Sequence, residues 1–152
     1  MHPFPHRYQA SSSGCPEGEV IVGSAGLKPL RTMPPPEFGG PGGHWSPESL
    51  LVGAMADCYL LSFRAVARAA RLPWLSLECT VDGTLDREQG ATRFTAFDLR
   101  AHLVVPEGTA PEIAERALHR AEEVCLISNS LSGRRSLEIL VEIAPCEESI
   151  ED

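Results

Sequence analysis

The chain of 152 residues lacks any stretch of roughly 18 uninterrupted apolar residues, the length a membrane-spanning helix needs, so no membrane span is expected. It lacks concentrated positive charge as well. The formal net charge is −8 and no basic cluster exceeds Arg134-Arg135, which argues against nucleic acid or an anionic membrane as the main partner. No Cys-x-x-Cys pair or Cys/His spacing of a zinc site is present, and His44, His102 and His119 are scattered, so neither metal nor cofactor is expected. The glycine-rich "GGPGG" is not followed by Lys-Ser/Thr, and its proline removes an N–H donor, which excludes a phosphate-cradling loop. The opening "MHPFPHRYQA" has no apolar segment of a secretory signal, and the five cysteines are odd in number and widely spaced, unlike a secreted disulfide framework. A cytoplasmic protein is the expectation, and there a functional cysteine pair is more often redox-active than structural.

What is present reads as one domain, residues 1–152, with a core from about 8 to 143 and tails at 1–7 and 144–152. A chain of this length buries about 70% of the surface its unfolded form exposes. Nine of the thirteen prolines lie at or before Pro47. "RYQASSS" and "GEVIVGS" are short strand candidates around a "GCPEG" turn, and "PPPEFGGPGGHWSP" reads as a loop. Ser46 suits a helix N-cap and Pro47 the first helical position. Leu51, Ala54, Met55, Cys58, Leu61, Ser62, Ala65 and Ala69 then form a helical stripe running to about Arg71, before Pro73. Only Asp57 is charged between Ser49 and Phe63, which predicts a helix covered around most of its circumference.

Downstream, Leu75, Leu77, Cys79 and Val81 alternate with polar residues as a half-buried strand; "DREQG" turns it into a second, with Phe97, Leu99, Ala101 and Leu103 in phase and His102 outward. Thr109 to Glu112 reads as a capping box opening a helix to about Glu123, and "SLEILVEI" as a last strand. The expected class is α+β with mainly antiparallel pairing, because short connections suit hairpins.

The chemistry turns on Cys58 and Cys125. Cys79 falls on the inward phase of its strand and reads as core; Cys15 and Cys146 lie in a turn and a tail. On helical periodicity alone Cys58 is core filler. The rival reading, a nucleophile, needs a thiolate, and lowering a thiol from about 8.5 to about 6 takes roughly 3.4 kcal/mol. Cys58 is some three turns inside its helix, too deep for the helix dipole to help, and Asp57 opposes a negative neighbour. A cation is required, and Arg31 is the nearest candidate upstream.

The stretch "SPESLLVGAMADCYLLSF", with Glu48 ten positions before Cys58, and "CLISNSL", beginning at Cys125, resemble the two cysteine motifs of the OsmC/Ohr family (osmotically inducible protein C and organic hydroperoxide resistance proteins). Element order agrees over roughly Tyr8 to Ile143. The resemblance implies an OsmC-like fold with sheets packed around a long central helix, in an intertwined homodimer with two interface sites. It implies a thiol peroxidase in which Cys58 attacks an organic hydroperoxide, Cys125 resolves the sulfenic acid, and a dithiol reductant, dihydrolipoyl for some members, restores both thiols. Glu48 organises the site, with Arg31 standing in for the family's arginine. Ten helical residues separate Glu48 from Cys58 by about 15 Å, so a shared site takes Glu48 from the partner subunit. Phe38 stands where the resemblance puts the arginine, Asp57 replaces a small residue and Leu126 a proline. Phe38 and Trp45 suggest a hydrophobic lip suited to organic peroxides. The rival function is a dimer of this fold with little turnover, acting as a binding protein or redox sensor.

Overall fold

The computed structural model describes residues 1–145; Cys146 and the rest of the expected tail lie outside the described residues. The chain groups into two compact units, Met1–Leu51 and Val52–Asp152.

The first unit is a small antiparallel sheet, β1 (Ser11–Ser13), β2 (Val20–Gly23) and β3 (Leu30–Thr32), in that order. The sequence reading has no strand at β3; its three residues carry no alternation of their own, and pairing of Val20 with Thr32 and Val22 with Leu30 sets it. The proline-rich loop holds one turn of 3-10 helix at Pro36–Phe38 and returns to the sheet through a Thr32–Trp45 bridge. Gly40 is fixed by contact: a β-carbon there would sit 1.6 Å from the Pro34 carbonyl oxygen.

The long helix α1 (Pro47–Ala69) starts as expected. The Ser46 hydroxyl accepts from the Ser49 N–H at 3.2 Å, and Pro47 follows at the first helical position. At about 1.5 Å per residue it is about 35 Å long. It is long and apolar enough, with a mean hydropathy of 1.5, to cross a membrane by those criteria alone. Here it packs one row, Met55, Tyr59, Phe63 and Ala67, into the core of the second unit. That row differs from the expected stripe, with which it shares only Met55. Cys58 and Ser62 are half-buried and Leu61 is 51% exposed, because the two aromatic residues, read by type rather than by spacing, supply the packing face.

In the second unit, β4 (Ser76–Glu88) and β5 (Ala91–Pro106) form a long antiparallel hairpin closing at Gln89-Gly90. A crossover through α2 (Pro111–Val124) and the short α3 (Leu126–Asn129) leads to β6 (Arg134–Ala144). β6 runs parallel to β5, so the sheet is mixed, which corrects the expectation of mainly antiparallel pairing. The physical reason is length: residues 107–133 are long enough for a helical crossover, the connection parallel strands require. Phe97, Leu99, Ala101 and Leu103 are all buried, as their phase predicts, and Ala114, Ala117, Leu118 and Ala121 of α2 join them. Leu75 is exposed, since β4 begins one residue later.

The Tyr59 hydroxyl donates to the Leu118 carbonyl at 2.9 Å, tying α1 to α2 inside the core. The opposite sheet face is polar, with Arg100 paired to Asp82 at 2.9 Å and His102 to Glu142 at 2.7 Å. The capping box does not form: α2 is capped by Ala110, and the buried Thr109 hydroxyl has no partner among the described residues. Pro111 takes the first helical position and moves the start beyond the reach of the Thr109 side chain.

Gly83 makes the hairpin testable. A β-carbon there would lie 2.8 Å from Val52 Cγ2 and 2.9 Å from Phe94 Cε1, and Phe94 is braced by its stack on Phe97. Gly83→Ala is expected to cost about 1–3 kcal/mol by overpacking. Thermal unfolding measures it, and an unchanged midpoint would show that the helix and hairpin yield freely.

Candidate functional site

The second unit brings Cys58 and Cys125 together. Both are free thiols. Cys58 is carried on the flank of α1 beside the buried Tyr59, and Cys125 ends α2. The chain turns there because Cys125 leaves the helical region (φ −65°, ψ 106°) and starts α3, whose first bond runs from the Asn129 N–H to the Cys125 carbonyl at 3.0 Å. This corner directs the Cys125 sulfur inward, where it is 0% exposed, while Cys58 remains half-buried. The two thiols differ in access, and the accessible one is Cys58.

Their electrostatics differ too. Burial pushes the Cys125 thiol up; the Ser128 hydroxyl, donating to Cys125 Sγ at 3.2 Å, and the Ser128 backbone N–H pull it partly back. The neighbouring Cys58 thiol pushes it up again, since two thiolates at such proximity repel. Cys125 therefore rests as a neutral thiol. Cys79 is half-buried on β4, and burial, with the nearby Cys125, pushes it up to about 11. Burial likewise raises the Tyr59 phenol, which keeps its proton for the Leu118 carbonyl. Besides Cys125, Cys58 has Ser62 Oγ at 4.0 Å, a weak contact one helical turn on. Asp57 points to solvent. No Lys or Arg forms a hydrogen bond to Cys58 among the described residues.

Glu48 and Arg31 belong to the first unit. Arg31 is 70% exposed and binds Glu19 Oε2 at 2.6 Å, while His44 approaches the other oxygen at 3.4 Å. The Arg31 guanidinium holds the Glu19 carboxyl below the usual carboxylate range. Arg31 is thus engaged by Glu19, and one carboxylate oxygen of Glu48 is buried without a hydrogen-bond partner among the described residues.

Sequence reasoning left out three residues of this neighbourhood. Ser62 and Ser128 stand four and three residues after the two cysteines, a spacing that places a hydroxyl on the same helical face and was a usable signal. Arg135 is half-buried and held at 3.3 Å by both Glu122 and Asn129; no local pattern in the sequence pairs a strand residue with these. No group of three His, Cys, Asp or Glu suited to a metal occurs among the described residues. The arrangement can open an O–O bond at one sulfur and close a disulfide with the next.

A description of OsmC-like proteins matches residues 40–140. The Bacillus subtilis protein YmaD, itself uncharacterized, is 25% identical over 108 residues, covering 69% of this chain and 72% of that one. Among solved structures, an OsmC-like protein of unknown function from Vibrio cholerae superposes with a TM-score of 0.81 at 21% identity, over 90% of this chain and 100% of that one. An organic hydroperoxide resistance protein OsmC from Legionella pneumophila, described also as a predicted redox protein, gives 0.72 at 27% identity, over 92% and 99% of the two chains.

Proposed function

Because this chain belongs to the OsmC-like family, we propose that it is a thiol-dependent peroxidase that reduces organic hydroperoxides in oxidative-stress defence. The observation that carries this reading is the pairing of an accessible Cys58 with a fully buried Cys125. The Legionella relative, an organic hydroperoxide resistance protein, supports the substrate class. The Cys58 thiolate attacks one peroxide oxygen; the O–O bond breaks, and its electron pair leaves on the alkoxide, which takes a proton to give the alcohol. Cys58 is then a sulfenic acid. The Cys125 sulfur displaces its hydroxyl as water, forming the Cys58–Cys125 disulfide. An external dithiol, of lipoyl type, returns both thiols and becomes a disulfide itself.

The protein acts as a cytoplasmic homodimer in this reading, with Glu48 of one subunit organising the site of the other and Arg31 as the supporting cation. Use of Arg31 requires its release from Glu19. The test is consumption of cumene hydroperoxide by purified protein with a dithiol reductant; an inert, folded dimer would overturn the reading. One observation favours the rival, a low-turnover binding protein or redox sensor: no cation contacts Cys58 among the described residues, and Asp57 adjoins it.

Ser128 sets the second step. Its hydroxyl stabilises the Cys125 thiolate, so Ser128→Ala is expected to raise that thiol further and slow disulfide closure about tenfold near neutral pH. In both proteins closure accelerates as pH rises through the raised Cys125 range, because deprotonation makes the nucleophile; the variant needs the higher pH. Single-turnover fluorescence or quenched mass spectrometry reads the step. Superimposed pH profiles would remove Ser128 from it.

A further inference from the structure

The first unit contains a cavity of about 410 Å³, within the range of small-molecule sites. Its wall is mostly apolar, with Val20, Val22, Met33, Pro34 and Phe38 lining it, and Glu48 is its one acidic group. Thr32, another lining residue, donates its hydroxyl to the Val20 carbonyl at 3.2 Å and so has no proton to give Glu48. No Lys, Arg or His lines the cavity, and the nearby Arg31 in sequence is bound to Glu19. One oxygen of Glu48 is buried and accepts no hydrogen bond among the described residues. An acceptor removed from water without a donor is costly, and a carboxylate costs more than a neutral group. Glu48 sits in the first turn of α1, where the positive end of the helix favours a negative side chain, so the unmatched group is a durable anion.

We propose that this cavity binds a primary ammonium on a compact apolar body, with Glu48 taking the ammonium hydrogens. An ammonium offers three donors and a full charge, where an alcohol or hydroperoxide offers one neutral donor. Phe38 adds a ring whose face attracts a cation, and the remaining wall accepts an alkyl or aryl group. Carboxylate, ring and apolar wall make an amine-recognising set. The proposal does not depend on peroxidase turnover, since it concerns the first unit alone and is read without peroxide.

The experiment titrates the full-length protein with hexylamine, 1-hexanol and hexanoate by calorimetry at neutral pH. Hexylamine is expected to bind at least about tenfold more tightly than 1-hexanol, with hexanoate excluded. Glu48→Gln should bring hexylamine down to the level of the alcohol, and Phe38→Leu should weaken it by a smaller factor. If Glu48→Gln fails to fold, wild-type protein carrying ¹³C-labelled glutamate supplies the readout: the Glu48 carboxylate signal should move with hexylamine and stay still with hexanol. Equal affinity for amine and alcohol, or a stationary Glu48 signal, overturns the proposal. So does a dimer structure in which an arginine or lysine of the partner subunit already donates to Glu48.

Discussion

Cys58→Ser should abolish cumene hydroperoxide turnover, a loss on the order of 10³-fold or more, in a protein that remains folded. Serine is close to isosteric with the half-buried cysteine, and its hydroxyl does not ionise near neutral pH, so the change removes the nucleophile and leaves the packing. Cys125→Ser behaves differently. It should consume about one peroxide per chain, form no disulfide, and hold Cys58 as a sulfenic acid that dimedone traps. Cys79 is an internal control. With its thiol pushed up to about 11, about one part in ten thousand is thiolate at pH 7, so iodoacetamide should label Cys58 first. Equal labelling of Cys58 and Cys79, with three equally inert proteins, would make Cys58 core filler and favour the binding-protein reading. Running hydrogen peroxide beside cumene hydroperoxide checks the hydrophobic lip: Phe38 and Trp45 are both more than half exposed, and equal rates would remove their role.

Phe97→Ala should be the most destabilising simple substitution in the sheet, at about 3–5 kcal/mol. Phe97 is 1% exposed, lies on the central strand between β4 and β6, and stacks on Phe94 at 5.3 Å. Its ring also closes over Gly133, where a β-carbon would lie 2.9 Å from Phe97 Cε2. Truncation opens a cavity at the point where the crossover rejoins the sheet, and rigid strand backbones on both sides prevent collapse. For a chain of this size the midpoint should fall by roughly 6–20 °C. Thermal denaturation followed by circular dichroism measures it, and a fall of only one or two degrees would mean that the sheet closes over the gap.

The elements that were legible in the sequence carry their own local signal. Ser46-Pro47 marks the start of α1 because cap and first-turn chemistry involve neighbours in sequence. The phase of Phe97, Leu99, Ala101 and Leu103 reads directly as one buried face of β5. The features that escaped are set by distant partners. The parallel seat of β6 depends on β5 across a crossover, β3 on β2, and the buried row of α1 on where Tyr59 and Phe63 meet the sheet. The site divides the same way. Both cysteines stood out by motif, and Ser128 lay within it, whereas Arg31 looked available only because its pairing with Glu19, twelve residues away, has no sequence signature.

The parallel seating of β6 also sets an order of events during synthesis. Cys58 leaves the ribosome on a helix whose core partners on β5 follow soon after, and Cys125 emerges on a crossover with one end still untethered until β6 adds to the sheet. The long-range pairing is the slow one. For that interval the nascent chain carries Cys58 exposed and Cys125 not yet turned inward, so oxidant reaching the unfinished protein meets two separate thiols with no resolving geometry. Newly made chains should therefore be the fraction most prone to overoxidation and mispairing, and the reducing environment that recycles the finished protein also protects its assembly.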